Sequence, residues 1–374
     1  MRTLVLILGI VLTATVTVAA IASMVVPRAT RTGLAHFVTR VVMGLLRLPL
    51  RALKSYRSQD RWLRLAAPIS MLLQLGIFVV LTIVGVALIV FGQTQLTWKQ
   101  AGWQAAATVT TLGTTERVNW SSAMTSALGA FLGLVIIAVF MGYLVGLYSA
   151  YVSRESVMAR FAQVAGEPAW GPTVLARSQA LAGDPTDALD LTEWTTWMTD
   201  VRLGQQASPV LAHFRSPDPM RHWAITMLAM LDATALALSM GLIDKRAPAI
   251  RCIAEGTITF GVLRRVGVAV ELTNWKIESA VIDAIEGRNS RSDVPAVDDD
   301  EWRAAIDLMV ARSAADRDAL DAARPSFEAM RALYIADAIA LARTFHAVRA
   351  PWSGERNGDL RVIWPSECGE GSID

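Results

Sequence analysis

Three long apolar stretches constrain this chain more than any other feature of its sequence. Residues 4–26, 66–92 and 122–150 carry no charged side chain, and each is long enough to cross about 30 Å of hydrocarbon as a helix. A mean hydropathy of +0.40 with only 18% charged residues is too apolar for an ordinary soluble protein of 374 residues. The sequence therefore predicts an integral membrane protein with three transmembrane helices.

The segment after the first stretch predicts the orientation. Residues 28–64 are rich in Arg and Lys and contain a single acidic residue, Asp60, and such clusters stay on the cytoplasmic side. A cleaved signal peptide is the alternative interpretation of residues 4–26, but cleavage would leave the basic cluster outside. We therefore expect an uncleaved anchor with an external N-terminus, a multi-pass location in the cell membrane and a cytoplasmic C-terminal region.

The basic segment also has the pattern of an amphipathic helix, kinked near Pro49. Its apolar positions recur at helical spacing: Leu34, Phe37, Val38, Val41, Val42 and Leu45. Its basic positions share the other side: Arg40, Arg47, Arg51 and Lys54. The pattern predicts an interfacial helix whose basic side binds anionic lipid headgroups; a solvated linker is the alternative.

Between the second and third stretches, residues 93–121 are too polar to cross the membrane. A helix-compatible run, 98–109, ends in Thr110, Thr111, Leu112 and Gly113. A short helix followed by a Thr and Gly strand is typical of a re-entrant pore loop, where backbone carbonyls replace the hydration shell of a cation. A plain extracellular loop is the alternative.

The string Thr108–Gly113 resembles the start of the potassium-channel filter signature, T-x-T-T-V/L-G-Y-G-D. Three further short landmarks, Val25–Arg28, Ser153–Glu155 and Ser208–Ser216, are similar to those of bacterial proteins of the ion-channel or two-pore-domain potassium-channel family. The resemblance implies a fourfold filter with K⁺ or Na⁺ as the permeant ion. One pore loop per chain then requires a homotetramer, or a tetramer with homologous subunits.

The sequence departs from that signature at its outer half, where Thr114, Thr115 and Glu116 replace Tyr, Gly and Asp. Because a β-branched residue disfavours positive φ, the outer half is not expected to form a standard filter. A ring of Glu116 carboxylates would favour cations without choosing potassium. The candidate filter residues are Thr110, Thr111, Leu112, Gly113, Thr114, Thr115 and Glu116.

Two small-xxx-small pairs lie on the third stretch: Gly129 with Gly133, and Gly142 with Gly146. Such pairs permit close helix contact, or they provide a bend for gating. The sequence leaves both interpretations open.

Residues 152–374 show helical patterns broken by Gly and Pro. The expected helices are 155–165, 171–182, 187–205, 218–242, 245–270, 272–286, 299–322 and 326–348. Residues Asp298–Asp300 suit a helix start. Residues 222–242 are apolar enough for a fourth span, but Asp232 at their centre favours a buried core helix.

These patterns predict an all-α membrane protein with a re-entrant pore loop between its second and third transmembrane helices. The expected domains are an anchor helix (1–27), a basic interfacial segment (28–65), a pore module (66–151) and an α-helical cytoplasmic domain (152–374).

Other chemistry has no support in the sequence. No dinucleotide or P-loop motif occurs, and the four histidines and two cysteines have no metal or disulfide spacing. We therefore expect no enzymatic activity, metal site, cofactor or nucleic-acid partner; the net charge of +2 by itself says nothing about nucleic acid. Two hypotheses remain: a poorly selective tetrameric cation channel gated or assembled by its cytoplasmic domain, or a non-conducting membrane sensor or assembly subunit with a degenerate pore loop.

Overall fold

The computed structural model describes residues 1–25, 33–49, 53, 55–113, 120–265, 274–288, 296–312 and 316–354. Regular structure in these residues is helical, without strands. The chain forms two compact units. The first unit comprises Met1–Arg51, Trp62–Ala150 and Ala207–Phe214; the second comprises Ala52–Arg61, Tyr151–Gln206 and Arg215–Asp374.

Six α-helices lie in the described residues of the N-terminal half. They are α1 (Arg2–Val25), α2 (Gly33–Arg47), α3 (Tyr56–Leu63), α4 (Ala66–Gln93), α5 (Trp98–Val109) and α6 (Trp120–Ala165). The segments Arg2–Met24, Tyr56–Gln93 and Trp120–Ala165 are long and apolar enough to cross a membrane, which confirms the three predicted stretches. With 46 residues, α6 is about 69 Å long, so it extends well beyond the hydrocarbon.

Small residues bring α1 and α4 into close contact. A Cβ atom on Gly85 would lie 2.3 Å from the hydroxyl oxygen of Thr13, and one on Gly92 would lie 2.7 Å from the Cβ atom of Leu6. Gly9 meets the backbone of α4 in the same way. Because apolar burial does not drive helices together in lipid, this close packing is what holds α1 to α4.

The apolar face of the amphipathic helix α2 is partly buried and partly exposed. Val38 and Val42 are buried, whereas Phe37, Val41 and Leu45 are exposed. The difference arises because α2 packs against α4, which covers part of the apolar surface and leaves the rest for another environment. The helix ends at Arg47, before Pro49, as the restriction on residues preceding proline explains. The basic side chains predicted for the other side of α2 lie outside the described residues: Arg40, Arg47, Arg51 and Lys54.

Where the structure describes the C-terminal half, it adds eight α-helices and a short 3₁₀ helix. They are α7 (Gly171–Ala182), α8 (Leu191–Ala207), the 3₁₀ helix Pro209–His213, α9 (Trp223–Ser239), α10 (Arg246–Arg264), α11 (Asn274–Ile285), α12 (Asp299–Arg312), α13 (Arg317–Arg331) and α14 (Ile335–Thr344).

Two predicted helix boundaries in this region are wrong. The structure has three helices, α12, α13 and α14, where the sequence predicted two, 299–322 and 326–348. The chain does not break near Pro325, which lies inside α13. Proline removes only one backbone donor, and Phe327 and Met330, fully buried beyond it, keep the helix packed against α9. The predicted start of α12 is confirmed, since the Asp298 carboxylate accepts from the backbone N–H of Asp300 at 2.9 Å.

Helix α9 is the centre of the second unit. Every residue from Trp223 to Leu238 is buried, and α7, α10, α13 and α14 pack around it. The approach of α7 is close, since a Cβ atom on Gly171 would lie 2.8 Å from the backbone nitrogen of Ala233. Helix α9 is therefore a buried core helix, as the sequence favoured, and not a fourth span.

Asp232 is the charged group that made a fourth span costly, and it has partners inside the core. Its Oδ1 atom accepts a hydrogen bond from the Tyr334 hydroxyl at 2.8 Å and lies 3.3 Å from Nε of Arg331. Burial raises the pKa of Asp232, and the nearby Arg331 and the Tyr334 hydroxyl oppose that rise. Arg331 also donates to the carbonyl of Trp352, so one polar cluster joins α9, α13 and the segment after α14.

Candidate functional site between the second and third spans

Helix α5 begins with a capping box. The backbone N–H of Thr97 donates to the side-chain oxygen of Gln100 at 3.0 Å, and the N–H of Gln100 donates to the Thr97 hydroxyl. The ring of Trp98 stacks on Phe91 of α4 with centroids 3.9 Å apart. These contacts satisfy donors that would otherwise be unpaired at the helix start and fix that start beside the end of α4.

Small residues hold α5 against α4. Ala101 and Ala105 are fully buried and form one cluster with Val86, Val90 and Val109. The alanines allow the two helix backbones to approach closely. The predicted helix 98–109 is thus a packed element of the first unit.

On its other side, α5 contacts α6 through Gly129 and Gly133. A Cβ atom on Gly133 would lie 2.2 Å from the carbonyl oxygen of Val109, and one on Gly129 would lie 3.3 Å from the Thr108 methyl group. This pair of glycines therefore allows close contact between α5 and α6, the first of the two interpretations. A bend is not needed to explain it.

The second pair, Gly142 and Gly146, behaves differently. Both residues are exposed, and a Cβ atom on either would meet nothing within 4 Å in the described chain. Packing inside one chain does not account for these glycines. They remain available for a bend or for contact with another molecule.

Polar side chains connect the three helices of this region. The Gln104 amide donates to Ser126 of α6 at 3.1 Å, and the Thr125 hydroxyl donates to Gln93 of α4 at 2.8 Å. The side-chain oxygen of Gln104 is buried without a hydrogen-bond partner among the described residues. These polar contacts could not be predicted from the sequence, because isolated Gln and Ser residues do not change the hydrophobic periodicity of an apolar stretch.

The four residues after α5 contain the described part of the candidate filter. Thr110, Thr111, Leu112 and Gly113 are all exposed. Two residues have left-handed backbone conformations, Thr111 with φ of 59° and Gly113 with φ of 85°. The N–H of Gly113 donates to the Ala107 carbonyl at 3.1 Å, which closes the end of the helix.

The conformation of Thr111 is unusual for its residue type. A left-handed conformation costs an L-residue about 1–2 kcal/mol, and strained backbone of this kind is concentrated at functional sites. A β-branched residue thus adopts positive φ at this position, although such residues disfavour it. Thr114, Thr115 and Glu116, where the sequence departs from the filter signature, lie outside the described residues.

The electrostatics at the end of α5 suit a cation. Helix dipoles place partial negative charge at the C-terminus, and no carbonyl of residues 110–113 accepts a hydrogen bond from the described chain. Lys99 is the one charged residue of α5 and belongs to its first turn, at the opposite end from Thr110. The exposed carbonyls and hydroxyls of residues 110–113 can replace water around a monovalent ion.

The structure also brings together two of the short sequence landmarks, Ser153–Glu155 and Ser208–Ser216. In the second unit, the Ser216 hydroxyl donates to the Glu155 carboxylate at 2.6 Å, and the Tyr151 hydroxyl donates to the carbonyl of Arg215 at 3.2 Å. In the first unit, the Tyr143 hydroxyl pairs with that of Ser208. The segment Ser208–Ser216 thus contacts α6 at three positions.

Other chemistry is not assembled in the described residues. They contain no group of His, Cys, Asp and Glu that could hold a metal ion. Burial raises the pKa of the Cys252 thiol to about 12, so this cysteine is not an activated nucleophile.

No protein-family model matches this chain, and neither a curated protein nor a solved structure shows a significant match to it.

Proposed function

We propose that this chain is one subunit of a tetrameric pore that conducts monovalent cations, K⁺ or Na⁺. The observation that carries the proposal is the environment of α5, a short helix packed between two spanning helices that ends in four exposed residues, 110–113. One chain supplies one such segment, so four copies, or copies with homologous subunits, would surround the ion path.

The proposed pore discriminates poorly between K⁺ and Na⁺. Thr110 and Thr111 contribute carbonyls and hydroxyls, and Glu116 contributes a carboxylate ring at the outer mouth that attracts cations without selecting potassium. The second unit, which consists of helices, gates or assembles the pore. No catalytic step is part of the proposal.

The proposed location is the cell membrane, with the N-terminus outside and the second unit in the cytoplasm. The basic segment 28–64 then faces anionic headgroups of the inner leaflet. Leu181, 77% exposed, provides a test. In intact cells that contain the Leu181→Cys variant, a maleimide that cannot cross the membrane should react with the protein only after the membrane is made permeable. Reaction in intact cells would show the opposite orientation.

A non-conducting membrane sensor is the second candidate, favoured by Thr114 and Thr115 in place of the Tyr and Gly of the signature. It predicts oligomers and partners but no current. The two candidates therefore differ in one measurable property, since both keep the same packing of α5.

The deciding experiment is single-channel recording of the purified protein in planar bilayers, with K⁺ on one side and Na⁺ on the other. Glu116→Gln should reduce cation currents, while the matched control Glu286→Gln, on the second unit, should leave them unchanged. The reversal potential gives the selectivity. Silence from a protein shown to be tetrameric by native mass spectrometry would reject the pore in favour of the sensor.

A further inference from the structure

Arg215, in the second unit, forms polar bonds with several separate parts of the chain. Its guanidinium group donates to the carbonyls of Phe345 at 2.6 Å and His346 at 2.9 Å, just after α14. The same group lies 3.3 Å from the carboxylate of Asp60 in α3. Both side chains are almost fully buried, with exposed fractions of 7% and 3%.

The backbone of Arg215 is bonded to α6. Its carbonyl accepts from the Tyr151 hydroxyl, and the next residue, Ser216, donates to Glu155 one turn further along. Glu155 is held in turn by Arg154 at 2.9 Å. A displacement of Arg215 therefore has to move α6 or break these bonds.

Through Asp60, Arg215 contacts the linker between the first two spans. It is the single acidic residue in the basic segment 28–64, yet it is buried rather than solvated. Tyr56, one turn earlier on α3, donates to the carbonyl of His346 at 3.3 Å. Residues 56–61 of α3 are thus part of the second unit, and α3 leads through two residues into α4.

Chain continuity connects Arg215 to both helices that flank the candidate pore segment. Helix α4 follows α3, and the third span and the residues that contact Arg215 and Ser216 belong to one continuous helix, α6. Gly142 and Gly146, the exposed glycines, precede Tyr151 on that helix. The Arg215 side chain bonds both to α3 and to the end of α14, while its backbone bonds to α6.

We propose that Arg215 is a positioning residue that couples the end of α14 to α3 and α6 and thereby sets how readily the pore opens. This inference rests on the proposed conduction and adds its regulation: a movement at the end of α14 or of α3 reaches the flanks of the pore segment through Arg215. The planar guanidinium fork serves three acceptors at once, which a lysine ammonium cannot do in the same geometry.

The test compares Asp60→Asn and Arg215→Gln with a matched control, Arg202→Gln. Arg202 also forms a largely buried ion pair of the second unit, with Glu255 at 2.8 Å, but it has no bond to α3 or the end of α14 in the described chain. Asp60→Glu keeps the charge and serves as the rescue variant. If Arg215→Gln fails to fold, Asp60→Asn carries the test, because it removes one charge and leaves the guanidinium bonded to two carbonyls.

Hydrogen exchange of the full-length protein in nanodiscs tests the coupling without any current. Asp60→Asn should speed exchange of three separate regions together, residues 56–61, 151–156 and 345–348, by about tenfold or more, as expected when one cooperative contact opens. The control should leave all three regions unchanged. Faster exchange in residues 56–61 alone would overturn the coupling.

Single-channel recording tests the regulation. Asp60→Asn should change the open probability about fivefold or more while unitary conductance and reversal potential stay as in the parent protein, and Asp60→Glu should restore it. An unchanged open probability in a conducting protein would overturn the positioning role, as would a loss of current that equally affects the control. If the parent protein itself is silent, the proposed conduction fails, and hydrogen exchange alone decides whether Arg215 couples these elements.

Discussion

The carbonyl oxygen of Val109 occupies the space in which Gly133 would carry a side chain: a Cβ atom built on Gly133 would lie 2.2 Å away from it. Val109 is the last residue of α5 and Gly133 belongs to the spanning helix α6. The end of the candidate pore helix is therefore positioned by the absence of a side chain on its neighbour.

Gly133→Ala should force α5 and α6 apart. Overpacking of this kind typically costs about 1–3 kcal/mol, and here the obstructing atom is backbone, which cannot rotate away. We expect a lower thermal midpoint in detergent for Gly133→Ala. The matched control Gly142→Ala, with open space around it, should keep the parent midpoint; equal midpoints for both variants would contradict the packing described for α5.

Removing Arg331 should destabilise the core around α9. Arg331→Met leaves the buried Asp232 carboxylate without its charge partner, a change that typically costs about 3–5 kcal/mol. The double variant Asp232→Ala, Arg331→Met should cost less than the sum of the two single variants, because the two residues interact directly. Chemical unfolding followed by tryptophan fluorescence measures the cycle, and additive losses would show that the pair is not coupled.

The cost of Arg331→Met should depend on pH in a defined direction. Burial already raises the pKa of Asp232, and removal of Arg331 raises it further. A raised pKa means that the folded chain favours the protonated Asp232 carboxyl. The contribution of this carboxyl to the free energy of unfolding is therefore complete at a pH below the ordinary Asp pKa. It is lost as the pH rises through the pKa that Asp232 has in the folded chain. The variant should thus be closer to the parent protein at about pH 5 than at about pH 8. A difference that grows on acidification would contradict this.

Loss of the capping box should loosen the start of α5 alone. Thr97→Ala removes the hydroxyl that accepts from Gln100, and such changes cost about 0.5–2 kcal/mol. We expect faster hydrogen exchange in residues 98–104. Thr196→Ala is the control, since the Thr196 hydroxyl only donates within its own helix turn; unchanged exchange in α5 would argue against the cap.

Thr111→Gly and Thr111→Val separate backbone strain from side-chain chemistry. Both variants remove the hydroxyl, but only glycine accepts φ of 59° without a steric cost. Thr111→Gly should therefore be more thermally stable than Thr111→Val, by about 1 kcal/mol. In a conducting protein both should alter the current alike if the hydroxyl contributes to the ion path; a defect confined to valine would identify the backbone as the important feature.

The three spans and the helix before residue 110 could be predicted because their causes are local. A membrane span needs about 20 consecutive apolar residues and satisfies its own backbone hydrogen bonds, so the printed sequence of residues 66–92 contains nearly all the necessary information. The start of α12 at Asp298 is similarly local, since a carboxylate caps the N–H groups that follow it. The pattern of α9 was also correctly assigned to a buried helix, because Asp232 is costly in lipid.

Tertiary packing decided what local patterns left open. The pairs Gly129, Gly133 and Gly142, Gly146 have the same spacing, yet in the described part of the chain only the first meets another helix, because α5 ends beside one pair and not the other. The helix through Pro325 persists because the residues beyond it are buried. Asp60 looked like a lone acid among basic residues, and its burial depends on Arg215, 155 positions away. Spacing determines which face of a helix a residue occupies, but only the folded chain determines what covers that face.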